Sequence, residues 1–220
     1  MSEDNIVFNI LLLGNQAVGK TSFILRFCED TFNDLQLSSS GIDIKYKDIK
    51  RRDRDIKLKI FDTAGQERFK SISKSYFKKA DGILLLYDVS NKDSFDSIIS
   101  WVESIEECLD LSEIGILIVG NKCEIPDEEK VVNNEMKEKL ENNLKVKVKV
   151  MEASARDNKN VEECYMYLVD KMLEIKLGLK LDNNTKNTLK LYKKTHRKVK
   201  QKHHCCSEKN KNVNKISKDK

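Results

Sequence analysis

Residues 14 to 21 read Gly14-Asn15-Gln16-Ala17-Val18-Gly19-Lys20-Thr21, a full match to the pattern G-x-x-x-x-G-K-[ST]. Two glycines at this spacing let the backbone wrap a phosphate with successive N–H groups pointing inward, and a helix starting at the second adds positive potential. Lys20 then reaches the β- and γ-phosphates of a nucleoside triphosphate, and the Thr21 hydroxyl sits on a magnesium ion. Asn15, Gln16, Ala17, Val18, Gly19 and Ser22 complete the expected cradle. The flanks agree: Ile6 to Leu13 suits a short buried strand, and Phe23, Ile24 and Phe27 fall at helical spacing between Thr21 and Cys28. A chance glycine turn leaves the order strand, loop, helix unexplained.

A chain of 220 residues is long enough for one α/β domain with a sizeable core and an appendage. Charge locates the appendage. Gly178 to Lys220 holds 14 Lys and Arg against 3 Asp and Glu, a net +11, so with +5 for the whole chain residues 1–177 sum to −6. The expected division is a mildly acidic folded domain, 1–177, and a basic, disordered tail, 178–220, rich in Lys and Asn. No apolar run approaches the length that spans a bilayer, and MSEDNIVF lacks the basic and apolar regions of an export signal. A cytosolic chain is expected. Cys28, Cys108, Cys123 and Cys164, each inside an apolar or motif segment, are read as reduced thiols and not as a disulfide framework.

Past the first helix, Glu29 to Ser40 is polar and without period, whereas Gly41 to Ile49 and Ile56 to Phe61 alternate as half-exposed strands do. Joined by the charged turn Lys50 to Asp55, they read as an antiparallel hairpin beside the first strand. At its end stands Asp62-Thr63-Ala64-Gly65-Gln66-Glu67. A carboxylate there can hold the magnesium shell opposite Thr21, and Gly65 lets a backbone N–H approach the terminal phosphate. Gly82 to Tyr87 and Ile114 to Val119 read as buried strands, and Lys147 to Glu152 as a last one. Helical spacing marks Ser94 to Leu109, with Phe95, Ile98, Ile99, Val102 and Ile105 on a face and Trp101 as packing. It also marks Asn134 to Asn143, and Asn160 to Glu174 with Val161, Cys164, Leu168, Val169 and Met172 inward. Six strands and five helices give a doubly wound α/β fold, a mostly parallel six-stranded sheet whose C-terminal loops form the site.

Ordered wording, GIDIK at 41–45, KLKIFDTAGQERFKSI from Lys57 to Ile72, SYFKKADG from Ser75 to Gly82 and LLLYDVS from Leu84 to Ser90, resembles the Ras superfamily of small GTPases. Within it the chain is similar to the Rab family of vesicle-trafficking switches, over about residues 5–175. The resemblance implies a P-loop NTPase of small G-protein fold that binds GTP and GDP with Mg2+. Thr21 and Ser39 become magnesium ligands with Asp62 in support, and Gln66 orients the attacking water. Phe32 stands at the guanine face. Asn121, Lys122 and Glu124 occupy the base-reading motif N-K-x-D, and Ser154, Ala155 and Arg156 the second base-contacting loop. Two switches lie around Ser39 and Gln66, ordered by the γ-phosphate and loosened after hydrolysis. Ile44, Phe61 and Tyr76 hold the places of the apolar effector surface. Implied partners are effector proteins, an exchange factor and a GTPase-activating protein, for a monomer cycling from the cytosol to the face of an internal membrane. No nucleic-acid partner is expected, since the basic tail lacks interleaved aromatics.

Departures from the family pattern bear on function. Glu124 stands where the family has Asp; it keeps the acceptors for the guanine N1–H and 2-amino group but adds a methylene, which is expected to weaken affinity while guanine is still read. Ser39-Ser40-Gly41 replaces Thr-Ile/Val-Gly, and without a β-branch the Ser39 rotamer is less fixed. Ile44 and Phe61 keep the effector patch apolar in a different shape, and Arg156 for Lys is a near-neutral exchange. Cys205 and Cys206, in His203-His204-Cys205-Cys206, resemble paired prenylated cysteines. Yet 14 residues follow them, whereas prenyl attachment needs a terminal position. Removal of the extension, another lipid such as palmitate, and attachment by basic residues alone stay open. The leading expectation is a slow GTP-hydrolysing switch with Gln66 intact. The alternative is a non-catalytic or degenerate nucleotide-binding scaffold with altered base specificity, motivated by Glu124 and Ser39-Ser40.

Overall fold

The computed structural model describes residues 6–33, 42–63, 76–146 and 148–178. Six strands, β1 (Ile6–Leu13), β2 (Ile42–Arg51), β3 (Arg54–Thr63), β4 (Gly82–Asp88), β5 (Gly115–Asn121) and β6 (Lys149–Glu152), form one sheet in the order β2-β3-β1-β4-β5-β6. Only β2 and β3 pair antiparallel; every other neighbour is parallel. Of the five helices expected, four lie among the described residues: α1 (Lys20–Glu29), α2 (Lys92–Glu106), α3 (Asn134–Asn143) and α4 (Val161–Leu177).

Both faces of the sheet are covered, which is why β4 and β5 are buried at every residue and read as unbroken apolar runs. On one face, α1 and α4 pack Phe23, Phe27, Tyr165 and Leu168 against Phe8, Ile10, Leu58 and Leu84. On the other, α2 and α3 bring Phe95, Ile98, Ile105 and Leu140 against Leu11, Leu85, Tyr87 and Ile118. Helix α4 comes so near the sheet that a Cβ on Gly82 would lie 2.6 Å from Met172 Sδ. Helix α1 crosses on one face and α2 and α3 on the other, and because β1, β3, β4, β5 and β6 run parallel their C-terminal ends gather the loops at one edge.

The boundaries carry local chemistry. Helix α2 starts at Lys92, two residues earlier than its apolar spacing indicates, because Asn91 Oδ1 accepts a hydrogen bond from the Ser94 N–H at 3.0 Å. It ends at Glu106, short of Leu109. Within it Ile99 is 45% exposed, a correction to its expected inward position: Phe95, Ile98, Val102 and Ile105 fill the inner face and Ile99 turns out. Helix α4 runs on to Leu177 and stops at Gly178, whose φ of 61° ends it in the left-handed region. At the tip of the β2–β3 hairpin, Arg52 and Asp53 have φ of 51° and 59°, as a two-residue turn of this handedness requires. The cysteines among the described residues are free, in line with reduced thiols. No helix among those residues is long and apolar enough to cross a membrane.

Candidate nucleotide site

Between β1 and α1 the glycine loop is built by its glycines. Gly14, at φ 136°, lies so close to β4 that a Cβ would sit 2.1 Å from the Leu86 carbonyl oxygen; Gly19, at φ 91°, abuts the Asn121 side chain. Lys20 opens α1, is 6% exposed, and donates from Nζ to the carbonyls of Gly14 and Asn15, both at 2.8 Å. The loop thus holds an ammonium group at its centre. Next to it Thr21 Oγ1 donates to Asp62 Oδ2 at 2.7 Å, joining the start of α1 to the buried end of β3. Asn15 is anchored from the outer layer: its Nδ2 donates to Ser97 Oγ and its Oδ1 accepts from the Trp101 indole, each at 3.0 Å. Trp101, expected as packing alone, therefore also braces the phosphate loop.

The second half of the site is tied to the first by Asn121, which is 2% exposed at the end of β5. Its Nδ2 donates to the Val18 carbonyl at 2.9 Å, and its Oδ1 accepts from the Ala155 N–H at 3.2 Å. One side chain thus fixes the distance between the phosphate loop and the loop after β6. Lys122, in the left-handed region at φ 66°, places Nζ 2.6 Å from Asp88 Oδ2. Burial pushes the Asp88 carboxyl up, but hydrogen bonds from Lys122 and Ser90 outweigh it and hold it below its ordinary range. Ser154 is fully buried and its Oγ accepts from the Asp157 N–H at 2.9 Å, so its hydroxyl shapes the loop. Glu124 Oε2 is buried and has no hydrogen-bond partner among the described residues. Phe32 is half-buried at the rim, with the guanidinium carbons of Arg26 and Arg156 each 5.9 Å from its ring centroid.

Residues 9–174 match the model of the Ras family. The chain belongs to the Ras family. It is a Rab-like small GTPase: it is 42% identical to the Ras-related protein Rab-8A of Bos taurus over 179 residues, 81% of this chain and 84% of that protein. It is equally 42% identical to the Ras-related protein Rab-3A of Homo sapiens over 176 residues, 80% of this chain and 78% of that protein. The donors of this GTPase fit a guanine nucleotide with magnesium. A buried ammonium stands at the loop, the hard oxygens of Thr21 and Asp62 lie side by side, and a buried carboxylate oxygen waits at Glu124.

The structure brings together Asn15, Lys20, Thr21, Asp62, Asn121 and Ala155. Ser39, Gly65 and Gln66 of the switches lie outside the described residues, as do Cys205 and Cys206. Of the three residues expected at the effector surface, Ile44 faces Phe61 across the β2–β3 ladder, and the Phe61 and Tyr76 rings meet edge to face at 5.7 Å. Phe61 itself is 7% exposed, so the half-buried Ile44 and Tyr76 present most of that patch. Sequence reasoning missed Asp88 and Arg26; only the LLLYDVS wording pointed near Asp88, and nothing local marks Arg26.

Proposed function

We propose that this Rab-like GTPase holds GTP and GDP with Mg2+ through the residues gathered above, hydrolyses GTP slowly, and switches effector binding as it does so. The observation that carries the reading is the Asn121 bridge, which locks the phosphate loop and the base loop into one unit. A site that gripped phosphates alone needs no such tie.

The tasks divide by position. Lys20 and the loop N–H groups hold the phosphates; Thr21, Ser39 and Asp62 hold magnesium, whose charge, when bound, offsets that of the phosphates. Gln66 orients the attacking water, so the protein contributes positioning and not covalent chemistry. Lys122 and Phe32 flank the base, with Ser154, Ala155 and Arg156 closing the loop above it. Glu124 accepts from the two donors of the guanine edge. An adenine edge leaves the buried carboxylate unpaired, which costs about 1–3 kcal/mol or roughly 5- to 150-fold in affinity.

Effectors meet Ile44 and Tyr76, with Phe61 behind them, while an exchange factor and a GTPase-activating protein set the two switching rates. The monomer visits the cytosolic face of an internal membrane through its basic tail, each basic residue near an anionic leaflet adding roughly 1 kcal/mol, with Cys205 and Cys206 as lipid sites. Neither the site geometry nor the relatives supports the scaffold alternative.

The direct test is to purify the chain with magnesium, denature it and identify the released nucleotide by ion-exchange chromatography. Stoichiometric guanine nucleotide is expected; an empty or adenine-loaded protein overturns the assignment. Gln66→Leu is expected to abolish GTP turnover, and Cys205→Ser with Cys206→Ser to release the protein from membranes in fractionation.

A further inference from the structure

The base-side rim of the site is organised by a side chain that none of the nucleotide motifs contains. We propose that Arg26 is the positioning residue that holds the base loop and Phe32 in place over the nucleotide, and so sets how long guanine nucleotide stays bound. This rests on the guanine-nucleotide reading above.

Arg26 lies in the last turn of α1, with its side chain 14% exposed. Its head spends its donors on backbone: Nε donates to the Ala155 carbonyl at 2.8 Å and Nη2 to the Arg156 carbonyl at 3.0 Å. Nη1 donates to both the Asp30 carbonyl and Asp30 Oδ1, each at 3.0 Å. Asp30 caps α1 in the left-handed region, and its Oδ1 also accepts from Asn158 Nδ2 at 3.1 Å. One planar fork therefore joins the exit of α1, which leads to Phe32, with the base loop around Ala155.

The bonds continue inward. Ala155 accepts from Arg26 at its carbonyl and donates its N–H to Asn121 Oδ1, and Asn121 Nδ2 donates to Val18 of the phosphate loop. Lys20 and Thr21 stand at the other end of the same helix, six and five residues and about 9 and 7.5 Å from Arg26 along its axis. Helix α1 thus grips phosphate at its start and braces the base rim at its end. The Arg26 and Arg156 guanidinium carbons each lie 5.9 Å from the Phe32 ring centroid, so losing the Arg26 head removes one of the ring's two cation contacts and frees the loop carbonyls. Lysine cannot replace it: a single ammonium lacks the fixed fork that serves two adjacent carbonyls and the Asp30 pair together.

The test follows release of a fluorescent GDP from the full chain after a chase with unlabelled GDP, in wild type, Arg26→Lys and Arg26→Gln. Losing charge-assisted bonds to two loop carbonyls predicts release about tenfold faster for Lys and up to about a hundredfold for Gln. The single-turnover rate of GTP already bound is expected to change by less than about threefold, whereas a general loss of structure moves it together with the melting temperature of the Mg–GDP form. Arg26→Lys keeps the aliphatic stem and the charge and serves where Arg26→Gln does not fold. Release at the wild-type rate from both variants overturns the role of Arg26 and leaves the nucleotide site standing. A wild-type chain that retains no guanine nucleotide overturns both.

Discussion

Replacing Tyr165 by Phe is expected to stabilise the protein. Tyr165, on α4, is fully buried, its ring stacked on Phe27 at 3.8 Å and 11° and offset from Phe23 at 5.7 Å and 25°. Its hydroxyl has no hydrogen-bond partner among the described residues. Burial, reinforced by Cys28 and Asp62 nearby, pushes the phenol well above its ordinary value, as expected of a group with nothing to solvate its ionised form. A buried hydroxyl left unpaired costs about 1–3 kcal/mol. Phe keeps the ring and both stacks, and leaves a hole the size of one oxygen, on the order of 10–20 Å³, which at ~24 cal/mol per Å³ costs only about 0.2–0.5 kcal/mol. The net gain is about 0.5–2.8 kcal/mol, or roughly 1–11 °C in Tm for a domain of this size. Urea unfolding of wild type and Tyr165→Phe, with GDP and magnesium equal and saturating, reads it directly, since ligand alone shifts apparent stability. The midpoint should rise at unchanged m. A lower midpoint refutes the reasoning, because the hydroxyl would then be making a bond worth more than its burial costs.

The remaining predictions concern thiols, the phosphate loop and the hairpin. Burial pushes the Cys164 thiol up to about 12 and the Cys28 thiol up to about 11, against 9.0 for an ordinary thiol. Above pH 9 the unfolded chain therefore gives up protons that the folded one keeps, so stability present below pH 9 is lost between about pH 9 and 12. Urea midpoints from pH 8 to 10.5 should fall, and less steeply in Cys28→Ser with Cys164→Ala; equal slopes count against it. Trp101→Phe removes the indole bond to Asn15 and should weaken GDP binding about 3- to 10-fold in equilibrium competition, an unchanged Kd being the contrary result. Because Trp101 is the one tryptophan of the chain, Asn15→Ala should also shift the whole intrinsic tryptophan emission. Asp170 of α4 is paired with Arg51, which donates from both Nε and Nη2, and with Arg52 at 3.4 Å. Asp170→Ala should lower stability by about 1–2 kcal/mol in the same urea assay, and a loss under a few tenths would make the contact a solvated surface pair.

What was legible in the sequence is what local physics decides. The glycine loop is legible because its glycines answer backbone demands met within a few residues, as at Gly14 and Gly19. Strands β4 and β5 are legible because a strand covered on both faces has to be apolar throughout. Ile98 and Ile99 differ: adjacent apolar residues on a helix sit about 100° apart, and composition does not say which one the sheet covers. The structure buries Ile98 and exposes Ile99. Trp101 and Arg26 were not legible in their roles because their partners lie 86 and 129 residues away along the chain, where only the fold brings them together. For Glu124 the sequence supplied an acceptor, but not the burial that leaves one oxygen without a partner.

On the reading proposed above, that oxygen and the Lys20 ammonium together set the selectivity of the site. At the phosphate end a buried cation rests on the dipoles of the Gly14 and Asn15 carbonyls, a setting that favours an anion beside it. At the base end a carboxylate oxygen is removed from water without a donor, a setting that favours N–H groups. The Asn121 bridge fixes the relation between these two demands, so they are met together or strained together. A molecule that is anionic at one end and carries two N–H donors at the other satisfies both; a phosphate alone or an adenine nucleotide satisfies one. Glu124→Gln separates the contributions: it brings an N–H against the donor edge of guanine, removes the charge, and leaves the phosphate grip untouched. Guanine nucleotide affinity should then fall by about 10- to 150-fold while inorganic pyrophosphate competes as well as before. Equal loss for both ligands would show that Glu124 serves the loop and not the base.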